Sequence, residues 1–376
     1  MAARAVQTDP LTRDAEQLLA AMEAVRERTL AMVAPLSDEQ LEMVHSPLMS
    51  PLVWDLAHIA AYEDLWICHR LGGRALLRPD LAALYDAFET PRSVRGEVEL
   101  LGVQAAREYL GAVREAAIET ISASGAGDGF IAEMVLRHEL QHTETMRQTM
   151  AMAGLLAAGE GTSRPSGAPG WLAIPAGSFQ LGARDRGFAY DNERRRHELE
   201  LPAFRIARLP VTNASWMHFS EGGGYERREW WSDEGWAWKE EYDIGHHPAV
   251  ATGDPEAPVC HVSWFEADAF ARAHHARLPS EQEWERAATS EQPAEQLGGV
   301  GIVWEWTGSH FLPYPGFRAH PYREYSEVFF GQSYRVLRGG SWATHPRVAS
   351  HTFRNWDLPE RRQIFAGVRL ARGEQR

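Results

Sequence analysis

Apolar residues recur every three to four positions through the first part of the chain, up to about residue 156. Residues with this spacing share one face of a helix, so the pattern predicts amphipathic helices. The predicted helices cover residues 14–32, 54–71, 103–122 and 130–156. Ser37 and Gln40 have the spacing of a capping box, which predicts a further short helix. Pro51 lies in a first-turn position, where its missing N–H does no harm. We interpret the long helices as a four-helix bundle.

The pattern changes after residue 156. Residues 157–170 contain mainly Gly, Ala, Ser and Pro and are predicted to be a linker. Short apolar runs broken by Gly and Pro follow, which is typical of short strands joined by long loops. Strands are predicted at residues 171–181, 204–211, 334–342 and 365–370, and helices only at residues 213–220, 263–275 and 280–289. The predicted fold class is therefore α+β, with a helical domain over residues 1–156 and a second domain over residues 171–376.

Composition narrows the class of protein. The chain has 376 residues, of which 44% are hydrophobic, as expected for a soluble protein of two domains. The net charge of −14 argues against nucleic acid as a partner. No apolar run reaches the length of a membrane span, and the N-terminus lacks the pattern of an export signal, so a cytoplasmic location is predicted. Two cysteines, Cys68 and Cys260, cannot build a disulfide framework and suit a reducing compartment.

The segment with the clearest chemistry is His-Glu-Leu-Gln-His-Thr-Glu at residues 138–144. On the predicted helix, His138 and His142 lie one turn apart on the same face and can bind one ion. Glu139 has the position of the general base in a zinc protease, but the third downstream ligand of that pattern is absent. An unliganded pair is the alternative, because the chain contains 16 histidines.

A third ligand is predicted on another helix. His58 lies between Leu56 and Ile59, on the face expected to point into the bundle. A core histidine bonded to a carbonyl is the alternative for His58 alone. Together with His138 and His142 it predicts a site of three histidines. Three neutral nitrogens leave coordination positions open for substrate and oxygen, and they suit iron, zinc or copper.

Six segments of the second part resemble the formylglycine-generating-enzyme type of C-type-lectin-like domain. They are residues 175–182, 191–193, 210–213, 277–285, 303–307 and 337–342, of which the last two read Val-Trp-Glu-Trp-Thr and Leu-Arg-Gly-Gly-Ser-Trp. A DinB-like bundle with a His-x3-His-x-Glu motif precedes them. From about residue 29 to residue 372, the chain therefore resembles the ergothioneine-pathway hercynine sulfoxide synthases of the EgtB type.

The resemblance implies a non-haem Fe(II) enzyme. Such an enzyme uses O2 to join the sulfur of γ-glutamylcysteine to the imidazole C2 carbon of hercynine, which is trimethylated histidine, and the product is a sulfoxide. His58, His138 and His142 are the implied iron ligands, and Glu144 is implied to orient an imidazole. The implied partners are these small-molecule substrates, with no nucleic acid and no membrane.

The resemblance also implies which residues hold the substrates. Gln141 and Asn355 match residues at the hercynine end, and an amide both donates and accepts hydrogen bonds. Arg92 and Arg95 match the pair that binds the carboxylates of γ-glutamylcysteine, for which the planar guanidinium is suited. The four residues are therefore predicted to bind substrate.

The remaining implied site residues come from the end of the second domain. Trp356, Asp357 and Arg361 are implied to complete the substrate site, and a surface ion-pair network is the alternative for the charged residues. Tyr322 and Tyr325 match the catalytic tyrosine pair of the family, of which the first delivers a proton or hydrogen atom. Packing is the alternative for a tyrosine in a loop, and we rank Tyr322 above Tyr325.

One departure from the family leaves the sulfur donor open. The stretch between Trp284 and Trp304 is much shorter than the family usually has, and this affects the expected substrate more than the reaction type. The alternatives are the same reaction with cysteine or with a selenosugar, as in selenoneine synthases, and a non-catalytic lectin-like binding module. A formylglycine-generating oxidase is a further alternative, but it binds copper through a cysteine pair, whereas the second domain contains only Cys260.

Overall fold

A computed structural model of the protein describes residues 14–247, 254–290 and 296–373. The described residues divide into two units, residues 14–160 and residues 161–373. The division lies within the segment 157–170 that was predicted as a linker. Each unit contains its own buried core.

The first unit is helical. Its α-helices among the described residues are α1 (Ala15–Val33), α2 (Asp38–Glu42), α3 (Leu52–Glu63), α4 (Val103–Ser124) and α5 (Phe130–Ala153). The four longer helices pack against one another, which confirms the predicted bundle. Side chains of Asp14 and Ser37 cap α1 and α2, and the predicted capping box of Ser37 with Gln40 is present.

The helix predicted at residues 54–71 has two parts. Its first part belongs to α3, and a π-helical segment, Asp64–Leu71, continues it. Apolar spacing predicted the helix but not this wider winding, because the pattern does not reveal which carbonyl each N–H contacts. The predicted fifth helix ends three residues early, since Gly154 takes the left-handed conformation that closes α5.

A cluster of buried charges joins the four long helices. It consists of Arg26, Glu63, Arg114 and Glu139, one from each helix, and we call it the buried charge cluster. Arg26 Nη2 and Arg114 Nε each donate to Glu63 at 2.7 Å, and Arg26 Nε donates to Glu139 at 2.9 Å. Burial opposes the charge of Glu63, but the two guanidinium groups hold the pKa of this carboxyl below its usual value. The cluster therefore fixes how α5 is rotated in the bundle.

The second unit contains short strands in three sheets. The strands are β1 (Trp171–Ile174), β2 (Gly177–Leu181), β3 (His197–Leu201), β4 (Phe204–Ala207), β5 (Trp304–His310), β6 (Arg335–Arg338), β7 (Asn355–Asp357), β8 (Ala366–Gly367) and β9 (Ala371–Gly373). The sheet orders are β1-β4-β9, β2-β3 and β7-β6-β5-β8. The β5–β8 pair is parallel and the other pairs are antiparallel. The strand predicted at residues 365–370 is reduced to β8.

Four α-helices accompany these strands in the described part of the second unit. They are α6 (Asn213–Glu221), α7 (Asp233–Glu241), α8 (Trp264–Ala273) and α9 (Glu281–Ala288). The prediction of only three helices was wrong, because α7 was missed. Gly235 and two tryptophans obscure its helical pattern, although Ser232 caps it. Within the described ranges, no helix has the length and apolar character needed to cross a membrane.

Buried acid–arginine pairs hold the second unit together. Arg369 Nε donates to Glu305 at 2.6 Å, and Arg354 Nε donates to Glu281 at 2.7 Å. Glu305 also accepts from the indole of Trp284 at 2.6 Å. Several residues of the lectin-like motifs thus have structural partners. Removing one member of such a pair leaves a buried charge without its partner.

Candidate active site

Three histidine side chains converge inside the bundle. His58 comes from α3, and His138 and His142 come from α5. Each offers one ring nitrogen, and the three nitrogens lie within 4.8 Å of one another. Nε2 of His58 lies 3.0 Å from Nε2 of His138, and the ring centroid of His142 lies 4.5 Å from each of the other two. The structure therefore brings together all three predicted metal ligands.

The opposite ring nitrogens of two ligands contact acceptors. Nδ1 of His58 lies 2.6 Å from the carbonyl oxygen of Tyr85, and Nδ1 of His142 lies 2.9 Å from Oδ1 of Asp55. These acceptors favour the tautomer that carries the proton on Nδ1 and leaves the lone pair on Nε2. A carboxylate or carbonyl behind a histidine is the usual support of a metal ligand. The donor set therefore fits a first-row transition metal such as Fe(II).

Burial keeps two of these imidazoles neutral. It lowers the pKa of His58 and His138 well below the usual value, and the nearby His142 lowers both further. A neutral imidazole has a free lone pair, which metal binding requires. Asp55 is only 1% exposed, and its Oδ2 has no hydrogen-bond partner among the described residues. A positive charge at the histidines would therefore offset the burial of this carboxylate.

Aromatic rings hold two of the ligands in place. Trp54 stacks on His58 with centroids 4.6 Å apart and an angle of 14°, and Tyr62 stacks on His138 at 3.6 Å and 8°. The guanidinium carbon of Arg95 lies 3.4 Å from the ring centroid of Trp54. Sequence reasoning missed Trp54, Tyr62 and Asp55. The only sequence signal for these supporting residues was that a polar or aromatic residue lies on the buried face of a helix that also carries a metal ligand.

Glu139 cannot act as the general base of a zinc protease. Its Oε1 accepts from Thr29 Oγ1 at 2.7 Å and from Arg26 Nε at 2.9 Å, within the buried charge cluster. Neighbouring residues on a helix point in different directions, so His138 faces the other ligands while Glu139 faces the cluster. The zinc-protease alternative therefore loses its base.

The two predicted substrate arginines differ in their surroundings. Arg92 is exposed in a short turn at Arg92–Val94. Arg95 is 4% exposed, and its guanidinium donates to the Thr90 carbonyl at 2.9 Å and to Ser50 Oγ at 2.8 Å. Burial lowers the pKa of Arg95 to about 10. Arg92 is thus the better placed of the two for a substrate carboxylate, and binding by either stays a prediction.

Gln141 and Glu144 lie on α5 beside the ligands. Gln141 is half-buried directly before His142, and Glu144 is buried. Asp55 supplies the carboxylate that contacts the His142 ring. The hercynine contact of Gln141 and the orienting role of Glu144 stay predictions.

In the second unit, the predicted tyrosines join an aromatic cluster. The Tyr325 ring lies edge-on to Trp356 with centroids 5.9 Å apart, and the Tyr322 ring lies 6.2 Å from Tyr325. Trp356 stacks on Phe311 at 4.2 Å and 8°. Two predicted segments that lie about 30 residues apart in the sequence, Tyr322–Tyr325 and Trp356, are therefore neighbours.

The other predicted residues of this unit lie on or just after β7. Asn355 Oδ1 accepts from the Trp356 N–H at 3.0 Å. Asp357 Oδ1 lies 3.7 Å from Arg361 Nε, and both side chains are 23% exposed. An ion pair at this distance and exposure is weak. Asp357 Oδ1 also accepts from the Leu358 N–H at 2.8 Å, and substrate binding by Asp357 and Arg361 stays a prediction.

Comparison with known proteins places the chain in a family. A model of the DinB superfamily matches residues 21–146, and a model of the sulfatase-modifying factor enzyme 1-like domain matches residues 158–299 and 295–374. The hercynine oxygenase of Mycobacterium tuberculosis is 41% identical over 95% of this chain and 98% of its own length. That of Mycolicibacterium thermoresistibile is 40% identical over 92% of each. The chain belongs to the hercynine oxygenase family.

Membership of the hercynine oxygenase family confirms the predicted α+β architecture and makes the chain an oxygenase of small molecules. The alignment with the M. tuberculosis hercynine oxygenase extends over 431 positions, more than the 376 residues of this chain, so that relative has residues with no counterpart here. The formylglycine-generating enzyme of Streptomyces coelicolor is 32% identical over only 34% of this chain. The likeness to hercynine oxygenases thus extends over the helical unit as well as the second unit.

Proposed function

We propose that the protein joins the sulfur of γ-glutamylcysteine to the imidazole C2 carbon of hercynine. The oxidant is O2. One oxygen atom ends on sulfur as the sulfoxide, and the other leaves as water with the hydrogens of the thiol and of C2. The likeness to hercynine oxygenases over nearly the whole chain, together with the three converging histidines, supports this proposal.

Fe(II) is the proposed metal. His58, His138 and His142 would hold it through their Nε2 atoms, with Asp55 and the Tyr85 carbonyl fixing two of the rings. When bound, iron supplies the redox chemistry that O2 requires and open positions for the reacting groups. The work of the chain is to hold neutral imidazoles at a fixed geometry, which the stacked rings of the site favour.

The proposed substrate contacts follow from the chemistry of the side chains. Gln141 and Asn355 would hydrogen-bond the hercynine end through their amides. Arg92, with Arg95 behind it, would bind carboxylates of the peptide thiol, which carries two of them. Arginines at this place favour γ-glutamylcysteine over cysteine and over a selenosugar, which carries no such pair of carboxylates.

The rival functions lack support. A formylglycine-generating oxidase needs a cysteine pair, and Cys260 is the only cysteine in residues 161–376. A non-catalytic binding module has no use for one buried and two half-buried histidines whose ring nitrogens converge on one point, since removing polar side chains from water costs free energy.

A direct assay tests the proposal. The protein is reconstituted with Fe(II) without oxygen and then supplied with hercynine, O2 and one donor at a time: γ-glutamylcysteine, cysteine or a selenosugar. Mass spectrometry is expected to show the sulfoxide adduct, formed fastest with γ-glutamylcysteine. Absence of an adduct with every donor, in protein that holds iron, would refute the function.

Arg92→Ala should weaken use of the thiol substrate. Losing a charge-assisted hydrogen bond costs about 1.5–3 kcal/mol, so the KM for γ-glutamylcysteine should rise roughly ten- to a hundredfold while that for hercynine changes little. Steady-state kinetics with each substrate varied in turn measures both constants. Arg107→Ala, which removes an exposed arginine from α4, is the control. An equal change in both constants would contradict the assignment.

Tyr322→Phe should change the product as well as the rate. Proton delivery by a positioned hydroxyl typically contributes about 10²–10⁴-fold to a step. Without it, turnover should shift from the sulfoxide adduct to oxidation of the thiol by O2 to a sulfinic acid. Mass spectrometry at saturating O2 measures the ratio of the two products. Tyr325→Phe should have a weaker effect, and an unchanged ratio in Tyr322→Phe would rule out the role of Tyr322.

A further inference from the structure

A buried turn of the second unit has no role in the proposed chemistry. It consists of Asp191, Asn192 and Glu193, which form a single 3-10 turn, Asp191–Glu193. The three residues are only 4%, 1% and 2% exposed. Two buried carboxylates on one turn are costly unless hydrogen bonds satisfy them. The partners of these side chains therefore show what the turn is for.

The first set of partners lies in residues 320–326, which carry both predicted catalytic tyrosines and which we call the tyrosine loop. Ser326 Oγ donates to Asp191 Oδ1, and the backbone N–H of His320 donates to Asp191 Oδ2 at 3.2 Å. The Asn192 amide donates to Ser326 Oγ at 3.2 Å. Ser326 is fully buried. The turn thus holds the tyrosine loop at both ends.

A ring contact adds to these hydrogen bonds. Tyr190, directly before the turn, stacks on Tyr325 with centroids 4.3 Å apart and an angle of 9°. Tyr322 lies between the two held ends, at His320 and Ser326. A loop of seven residues fixed at both ends and at one internal ring has few conformations left. The direction of the Tyr322 side chain therefore depends on the turn.

The second set of partners leads into β7. Thr352 Oγ1 donates to Glu193 Oε2 at 2.6 Å, and Arg354 Nη1 donates to the carbonyl of Asn192 at 2.8 Å. Arg354 is buried and also binds Glu281, so its position is fixed. Asn355, the predicted hercynine residue, follows directly. The same turn therefore holds the segment that presents Asn355.

We propose that the Asp191–Glu193 turn is a shared anchor that sets Tyr322 and Asn355 at the distance the reaction needs. Ser326 and Thr352 are the positioning residues through which it acts. The inference rests on the proposed function, because it gives Tyr322 and Asn355 the roles assigned there. An error of about 1 Å in the position of a reacting group costs roughly a hundredfold in rate, so one rigid anchor for two segments has a direct chemical benefit.

Two substitutions test separately the contact of the turn with the tyrosine loop and its contact with the segment that leads into β7. Ser326→Ala should raise the ratio of sulfinic acid to sulfoxide adduct about tenfold or more, as Tyr322→Phe does, with little change in the KM for hercynine. Thr352→Val keeps the shape of the side chain but removes the hydroxyl, and should raise the KM for hercynine about tenfold. Thr352→Ser, which retains the hydroxyl, should restore that KM.

Ser263→Ala is the matched control. Ser263 is also fully buried and also donates to a carboxylate, Glu266, at 2.8 Å, but these two residues form the capping box of α8. It should lower the melting temperature as Ser326→Ala does and leave the product ratio unchanged. Amide hydrogen exchange of iron-free protein gives a second readout, in which exchange in residues 320–326 should quicken in Ser326→Ala and not in Ser263→Ala.

The outcomes separate the two hypotheses. If the unsubstituted protein forms no adduct, the proposed function fails, whereas the exchange measurement still tests the anchor. If it forms the adduct, and Ser326→Ala matches Ser263→Ala in product ratio and in exchange of the tyrosine loop, the anchor is refuted. Asp191→Asn keeps the shape of the turn and removes the charged acceptor, so it tests the same contact should Ser326→Ala fail to fold.

Discussion

His142→Ala is expected to abolish iron binding and adduct formation together, because it removes one of the three converging histidines, while the bundle stays folded. The same result is expected for His58→Ala and His138→Ala. Two imidazoles within an open site hold a divalent ion far more weakly than three, whereas the cavity left by one imidazole ring costs only modest stability. Metal analysis by plasma mass spectrometry gives the iron per chain, circular dichroism gives the helical content, and product mass gives the activity.

His45→Ala is the matched control for this experiment. His45 is a half-buried histidine of the same unit whose Nε2 lies 2.7 Å from the carbonyl of Gln40. Its removal takes away one imidazole and one hydrogen bond without touching the three ligands. Iron content should stay at the level of the unsubstituted protein. Full iron content with full activity in any one of the three ligand variants would disprove the metal site.

Glu63→Ala should be the most destabilising substitution in the bundle. It leaves Arg26 and Arg114 buried with one carboxylate between them in place of two. Breaking a buried ion pair by removing one partner costs about 3–5 kcal/mol, a large part of the stability of a domain. Urea unfolding followed by circular dichroism measures the free energy of unfolding. Glu63→Gln should lose less, because it retains part of the hydrogen bonding.

Glu119→Ala tests whether burial of the ion pair is the reason for the large loss of stability expected in Glu63→Ala. Glu119 forms an ion pair with Arg74 at 3.0 Å, but its side chain is 70% exposed. Exposed pairs contribute about 0–1 kcal/mol, so this variant should unfold almost as the unsubstituted protein does. Equal urea midpoints for the Glu63 and Glu119 variants would show that the buried charge cluster contributes little.

Acid should weaken the bundle through the carboxyl group of Glu63. The folded-state pKa of Glu63 is lowered, so its contribution is present above the unfolded pKa and is lost as the pH falls through the folded pKa.

Local patterns explain how far the bundle could be predicted. Apolar spacing and helix caps depend only on residues a few positions apart in the sequence. For this reason α1, α4 and α5 have nearly the predicted bounds. The pair His138 and His142 also follows from local spacing, since one turn of helix separates them. His58 required a guess about which face of another helix points inward, and the resemblance to a family supported that guess.

Features that depend on helix rotation could not be predicted. Asp55 and Glu63 are charged residues on a helix and would ordinarily be assigned to the solvent side. Their burial follows from partners more than 35 residues away, His142 for Asp55 and Arg114 for Glu63. No periodicity within one helix carries that information. The stacking of Trp54 and Tyr62 on ligand rings is hidden for the same reason.

The second unit was predicted from motifs more than from patterns. Its strands are two to seven residues long, too short for a clear alternation of apolar and polar residues. The resemblance identified the fold, but it did not separate chemical from structural roles within the motifs. Glu305 and Arg369 are structural partners, whereas Tyr322 and Asn355 lie on segments that the Asp191–Glu193 turn holds.

The buried charge cluster constrains which substitutions this chain can accept over generations. Two acids and two arginines balance there, so a change at one position alone leaves an excess charge where water cannot reach it. A lineage that replaces Glu63 must therefore replace an arginine at nearly the same time, and a simultaneous change of both is rare. The four positions should accordingly be inherited as a block, identical in relatives or exchanged together for apolar residues, even though none of them is among the proposed substrate-binding residues.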